Sequence, residues 1–186
     1  MRIISGKLKG KKLFLPKDKS TRPLKDLVKE SIFNLLDHSK KMKKNLENSS
    51  ILDLFSGSGS FGLECLSRGS KLVYFFENYV DAIKILEKNL SLFKKDQNFK
   101  IFKKDCFEFF DSNQNMNKKF DIIFLDPPYK EMRINNLIEK ILENKILNPD
   151  GIIIIHRHKK DKVEITSKIK ILDIRNYGLS KVYFAN

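Results

Sequence analysis

The chain has 186 residues, of which 41% are apolar and 32% charged, enough for one domain of ordinary size with a real core and a small addition. It carries 37 Lys and Arg against 23 Asp and Glu, a formal charge of +14, and no apolar run approaches the ~18 residues of a membrane span, so membrane integration is not expected. The N-terminus, with Arg2, Lys7, Lys9, Lys11 and Lys12 among isolated apolar residues, lacks a signal-type apolar stretch, and the expected location is the cytoplasm.

The charge sits at the two ends. Residues 1–50 hold 14 basic against 5 acidic residues and residues 155–186 hold 8 against 3, whereas 51–154 hold 15 of each. Phosphate neutralisation with counterion release needs clustered cations, so basic flanks around a neutral middle point to a polyanion partner. Lysine outnumbers arginine 31 to 6, but a compositional bias alone would not leave the middle neutral.

In chain order, Arg2 to Lys7 and Lys11 to Leu15 flank Gly10 as a predicted β-hairpin, and Val28, Ile32, Leu35 and Leu36 give a helix with one apolar stripe. Residues 1–40 are read as a basic appendage and 41–186 as the main domain. His38 to Ser50, rich in lysine, is expected to be a solvated connection between them.

Beyond it, apolar runs alternate with amphipathic stretches, the pattern of a parallel sheet covered on both faces. The predicted strands are Ile51 to Phe55, Leu72 to Phe76, Phe99 to Phe102, Asp121 to Leu125 and Ile152 to Ile155. Ile83, Leu86, Leu90 and Phe93 recur at helical spacing, as do Leu137, Ile138, Ile141 and Leu142. Asn148-Pro149-Asp150-Gly151 is a predicted turn before the fifth strand. Ile169 to Arg175 and Val182 to Phe184, around Tyr177-Gly178, suit a closing antiparallel pair and bring the sheet to about seven strands. The predicted class is α/β, Rossmann-like. Cys65 and Cys106 have neither disulfide nor zinc-site spacing and are expected to be small buried residues, with no metal site.

The chemistry is expected where strands end. Gly57-Ser58-Gly59-Ser60-Phe61-Gly62 follows the first strand and opens a helix, where backbone N–H groups can face an anionic ligand. Such a loop serves a dinucleotide pyrophosphate or an amino-acid carboxylate equally well. Asp53 narrows the choice, because a carboxylate there repels a pyrophosphate but accepts from an ammonium group, which favours S-adenosylmethionine. Glu77 ends the second strand, where an acid can hold ribose hydroxyls, with Asn78 beside it; Asp105 and Cys106 end the third, within reach of an adenine. Phe107 and Phe109 are expected in the core.

Asp126-Pro127-Pro128-Tyr129 is the sharpest feature, because two prolines after a buried strand build a rigid extended corner. The corner can aim the Pro127 carbonyl and the Asp126 carboxylate at one point while Tyr129 offers an aromatic face. Two acceptors and a stacking surface suit an exocyclic NH2 on a planar base. Accepting both of its hydrogens localises a lone pair otherwise delocalised into the ring, a matter of orientation and preorganised dipoles.

These residues resemble those of class I S-adenosylmethionine-dependent methyltransferases, and within them the bacterial 16S ribosomal RNA guanine-N2 methyltransferase family. Three local patterns carry the likeness. They are Arg2-x-x-x-Gly6-x-x-Lys9-Gly10-Lys11-x-Leu13, then Arg22-Pro23-x-x-Asp26-x-Val28-Lys29-Glu30-x-Ile32-Phe33-Asn34, then Asp53-Leu54-Phe55-Ser56-Gly57-Ser58-Gly59 running into Gly62-Leu63-Glu64. Arg175-x-Tyr177-Gly178 also fits. The resemblance implies a mostly parallel seven-stranded sheet with a reversed final hairpin. It implies cofactor contacts at Asp53, Phe55, Gly57, Gly59, Gly62, Glu77, Asn78, Asp105 and Cys106, and base handling at Asp126 to Tyr129. The implied substrate is a guanine in 16S rRNA, in the 30S subunit or an assembly intermediate, with Arg2, Lys7, Lys9, Lys11, Lys12 and Arg22 as RNA contacts and a monomer as the expected state. The chain departs from the family pattern at Leu24, Lys25 and Leu27, in place of small hydroxyl and basic residues, and at His156-Arg157, where an acidic residue is common.

Three rivals share parts of this pattern. An adenine-N6 methyltransferase uses the same pair of acceptors, and a dinucleotide-dependent oxidoreductase uses the glycine loop but leaves Asp126 to Tyr129 unexplained. A non-catalytic RNA-binding assembly factor needs only the flanks and predicts that Asp126→Ala changes nothing.

Overall fold

The computed structural model describes residues 1–16, 24–42, 44–93, 98–112 and 116–186. A helix, α1 (Asp26–His38), precedes a run of strands and crossover helices. In order these are β1 (Ser50–Leu54), α2 (Ser60–Ser67), β2 (Leu72–Phe76), α3 (Val80–Leu90), β3 (Phe99–Phe102), α4 (Cys106–Asp111), β4 (Phe120–Leu125), α5 (Ile134–Glu143) and β5 (Leu147–His158). The chain closes with β6 (Ile171–Tyr177) and β7 (Ser180–Ala185). The seven strands form one sheet in the order β3-β2-β1-β4-β5-β7-β6, parallel from β3 to β5 and antiparallel where β7 meets β5 and β6. This is the expected class, reversed hairpin included. The order reverses between β1 and β4, the place where an open α/β sheet leaves a crevice beyond its strand ends.

Strand alternation divides the core into two clusters, one on each face. Ile51, Val73, Ile122, Phe124, Ile152 and Ile154 face one side, with Phe61 and Leu63 of α2 and Leu86 of α3. Leu52, Leu54, Ile123, Leu125, Ile153 and Ile155 face the other, with Phe107, Phe109 and Phe110 of α4 and Leu137, Ile138 and Ile141 of α5. Ile3, Leu13, Val28, Ile32, Phe33 and Leu36 of the N-terminal segment pack into the first cluster. The amides of Ile4 and Ser5 donate to the Glu64 carboxylate on α2 at 2.7 and 2.9 Å, and Lys29 Nζ lies 3.6 Å from the same group, both ionic side chains fully buried. Burial pulls the Lys29 ammonium below its ordinary range, and Glu64 opposes that pull.

Several expectations are corrected. The N-terminal hairpin is a single antiparallel bridge between Arg2 and Lys12 closed by a loop, because Gly6 turns at φ +79° and lies so close to α2 that a Cβ would meet Ser67 O at 1.9 Å. The connection between α1 and β1 is not simply solvated, since Met42 and Leu46 are buried in the core. Asn148 to Gly151 is no turn between elements. It lies within β5 as an irregularity of three extra residues, the pairing jumping from Phe120↔Leu147 to Ile122↔Ile152. Helix α4 was not anticipated, its six residues being too few to show a period. Among the described residues no helix is long and apolar enough to cross a membrane.

Candidate functional site

A cavity of about 350 Å³ opens at the C-terminal ends of β1 and β4, where the strand order reverses. Its lining brings together Asp53, Phe55, Gly57, Glu77, Asn78 and the whole of Asp126, Pro127, Pro128 and Tyr129, with His156 and Arg157 from β5. Pro16 and Leu24 border it from the N-terminal segment.

Asp53 is 1% exposed, and its Oδ2 accepts from the Gly62 amide at 3.0 Å, capping the first turn of α2 from outside the helix. Burial, chiefly, with Asp126 and Glu77 as nearby negative charges, pushes its carboxyl well above the ordinary carboxylate range. Three carboxylates facing one cavity make it a poor receptor for a pyrophosphate and a good one for a cation.

The three glycines divide by task. Gly57, φ +56°, lines the cavity with open space where a Cβ would stand. Gly59 caps α2 in the left-handed conformation, φ +82°, and a Cβ there would meet Leu86 Cδ1 at 2.4 Å. Gly62 lies against Phe75, whose ring a Cβ would enter at 2.2 Å. Gly59 and Gly62 are therefore packing glycines between helix and sheet, and neither lines the cavity.

Glu77 Oε2 accepts from the Gly57 amide at 2.7 Å, while Oε1 accepts from Asn78 and Tyr79 at 3.0 and 2.9 Å. About four acceptor positions exist on a carboxylate and three are taken, so one is left on this cavity-lining residue. Asp105 and Cys106 stand apart from this cavity. Asp105 lines a more open neighbouring groove of about 530 Å³, caps α4 by accepting from the Phe107 amide at 2.7 Å, and accepts from the Asn78 side chain at 3.1 Å. Cys106 is 3% exposed and lines neither space, and its thiol is pushed up by burial. Asn78 lines both spaces and joins them.

At the corner, Pro127 is buried while Pro128 and Tyr129 are exposed. His156, named above only as a departure from the family pattern, and His158 both touch the motif. His156 Nδ1 lies 2.7 Å from Asp126 Oδ1, and the His158 ring stands edge-on to Tyr129 at 4.9 Å. The sequence signal was their i, i+2 spacing, which puts both on one face of the strand. Arg157 turns the other way, to Asp161 and the carbonyl of Glu131.

Of the basic residues, Arg2, Lys7, Lys9, Lys11 and Lys12 are all exposed. The Lys7 amide donates to Ser67 O at the far end of α2, and Phe14 is held at both its N–H and its C=O by Asn89, which also donates to Ser58 O in the glycine loop. Lys7 thus lies at the C-terminal end of α2, and the chain runs from there past Phe14 to Pro16 at the cavity edge. Arg22 lies outside the described residues.

The whole chain, residues 1–186, matches the family model described as Conserved hypothetical protein 95. The Bacillus subtilis protein YlbH is 34% identical, the match covering 98% of this chain and 96% of that protein. The Haemophilus influenzae protein named ribosomal RNA small subunit methyltransferase D is 35% identical over 89% of this chain and 82% of its own. A solved Haemophilus influenzae chain superposes with a TM-score of 0.77 at 31% identity, covering 99% of this chain and 96% of that one.

Proposed function

The chain belongs to the Conserved hypothetical protein 95 family, that of the small-subunit rRNA methyltransferases D, and on that footing we propose that it transfers the methyl group of S-adenosylmethionine to the exocyclic N2 of a guanine in 16S rRNA. The observation that carries this reading is the meeting of Asp126 to Tyr129 with Asp53 and Glu77 in one cavity.

The residues fit the cofactor. Its sulfonium and ammonium suit three carboxylates, its carboxylate suits the N–H groups of the glycine loop, and Glu77 keeps one acceptor position for a ribose hydroxyl. When bound, the cofactor would supply an activated methyl group, whose carbon takes the amine lone pair as the carbon–sulfur bond breaks and its electron pair stays on the leaving sulfur. Asp126 and the Pro127 carbonyl accept the two amine hydrogens, concentrate the lone pair on nitrogen and hold it in line, and Tyr129 covers the base. Asp126 also receives the proton that the methylated nitrogen sheds.

Burial of Asp53 gives this reading a pH signature. Its carboxyl titrates above the ordinary value of 3.8 when the site is empty, and a bound cation favours the ionised form. Binding therefore expels a proton, and S-adenosylmethionine affinity rises with pH from the ordinary carboxylate range upward, levelling once the empty site is ionised. The stability of the unliganded fold runs the other way, falling as pH rises through the raised value. Calorimetric titration across pH should show the affinity slope in the wild type and its loss in Asp53→Asn; a slope that survives the substitution contradicts the assignment.

The exposed basic run that precedes Pro16 is assigned to RNA, residues 1–40 acting as the RNA-facing part of the chain. Replacing Lys7, Lys9, Lys11 and Lys12 with alanine should weaken binding to 16S rRNA and reduce the log-log salt slope by roughly 0.7 to 0.9 per lost phosphate contact. An unchanged slope removes these residues from the interface.

The substrate assignment is tested by offering labelled S-adenosylmethionine with undermethylated 30S particles, naked 16S rRNA and duplex DNA. Label is expected on the ribosomal substrates, with the particle-to-naked ratio reporting what the flanks recognise. Label on DNA alone would overturn the reading.

A further inference from the structure

We infer that His156 is a positioning residue for the reaction, holding the Asp126 carboxylate through Nδ1–H so that its second oxygen faces the amine; the inference rests on the methyl-transfer reading above.

The register of the sheet creates the pair. Leu125 of β4 is opposite Ile155 of β5, so the next residue on each strand, Asp126 and His156, falls side by side at the crevice. Both point to the face shared by Phe124 and Ile154, as the alternation of the strands requires. The Nδ1–Oδ1 separation is 2.7 Å, the side chains are 16% and 21% exposed, and both residues line the cavity. On its other edge β5 is pinned by β7, with His156 opposite Val182, so the histidine backbone is held from both sides. Two residues on, His158 stands against Tyr129, so one strand face supports both the acceptor and the aromatic end of the motif.

An ionised carboxylate can only accept. The hydrogen between the two groups therefore belongs to Nδ1, and in the neutral ring Nε2 is the bare nitrogen. Oδ1 is committed to the imidazole. Oδ2 is then the oxygen turned to the substrate, where it accepts one amine hydrogen before transfer and takes the proton shed by nitrogen afterwards. Without His156 the carboxylate can rotate about its Cβ–Cγ bond, and the amine meets a distribution of acceptor positions. The loss should fall on turnover, not on binding.

The test has a spectroscopic arm and a kinetic arm. In protein carrying 15N-labelled histidine, with assignment by His156→Asn, the His156 resonances should report the Nδ1-protonated tautomer, and Asp126→Ala should shift the population toward Nε2–H. This arm needs no cofactor and no RNA. In the kinetic arm, His156→Ala should lower kcat roughly 10- to 100-fold, the range typical of residues that orient a reacting group, with KM for S-adenosylmethionine and rRNA within about threefold. His156→Asn, whose amide NH2 can stand where Nδ1–H stood, should recover most of that loss. An Nε2-protonated ring in the wild type, an unchanged kcat in His156→Ala, or an asparagine variant as slow as alanine would each overturn the inference. Wild-type protein that methylates no RNA would overturn the functional reading instead, while the tautomer measurement would still decide whether the pair exists.

Discussion

Asp126→Ala should reduce turnover on 16S rRNA by about 10²- to 10³-fold, the loss typical when one preorganised polar group at a reacting centre is removed. An exocyclic amine is a poor nucleophile because its lone pair is shared with the ring, so the carboxylate does most of its work before the methyl moves. Removing it leaves the Pro127 carbonyl as a lone acceptor and abandons His156, whose Nδ1 lies 2.7 Å from Asp126. Affinities for cofactor and RNA should change by only a few-fold, since Asp53, Glu77 and the basic run remain. Single-turnover methylation together with direct binding measurements separates these quantities. A variant within threefold of wild type would remove Asp126 from the reacting centre.

The second large effect concerns stability. Glu64→Ala should destabilise the fold by about 3–5 kcal/mol, the cost of leaving one partner of a buried ion pair alone. Glu64 and Lys29 are both fully buried, and the same carboxylate receives the amides of Ile4 and Ser5. Its loss leaves the buried ammonium with the Arg2 carbonyl and the Ser60 hydroxyl, breaks the 2.9 Å bond from Arg68 Nε and strands two backbone donors. The double replacement Glu64→Leu with Lys29→Met removes the buried ammonium along with its partner and should recover part of the stability, though not the part due to Ile4, Ser5 and the Arg68 bond to Glu64. Urea unfolding measures both. A loss below about 1 kcal/mol for the single variant would show that the buried network does not hold the N-terminal segment on α2. Hydrogen exchange at Ile4 and Ser5, expected to speed up in Glu64→Ala, localises the effect.

Legibility in the sequence followed the physics of each signal. The strands were readable because their apolar runs are bounded by turn residues, and the Gly57 loop and Asp126 to Tyr129 because glycine and proline constrain the backbone directly. The closing antiparallel pair around Gly178 and the count of about seven strands were legible, whereas the order β3-β2-β1-β4-β5-β7-β6 was not, because it is set by pairing between distant segments. Lys29 could not be recognised as buried, since in sequence it is one lysine in a basic helix; its partners, the Arg2 carbonyl and Glu64, lie 27 and 35 positions away. Three glycines looked alike in the motif, yet two answer to Leu86 and Phe75, contacts that arise after the chain folds. Asp105 and Cys106 were expected beside the other cofactor residues, but α4 turns one into its cap and buries the other. The contacts of His156 and His158 were not legible for a related reason, because their partners belong to the corner that follows a neighbouring strand.

The most direct test of methyl transfer at this corner is the identity of the product nucleoside. 16S rRNA methylated by the wild-type protein is digested and its nucleosides separated by mass spectrometry, with Asp126→Ala as control. The account predicts N2-methylguanosine, absent from the control. N6-methyladenosine in its place, or equal N2-methylguanosine from both proteins, would contradict it.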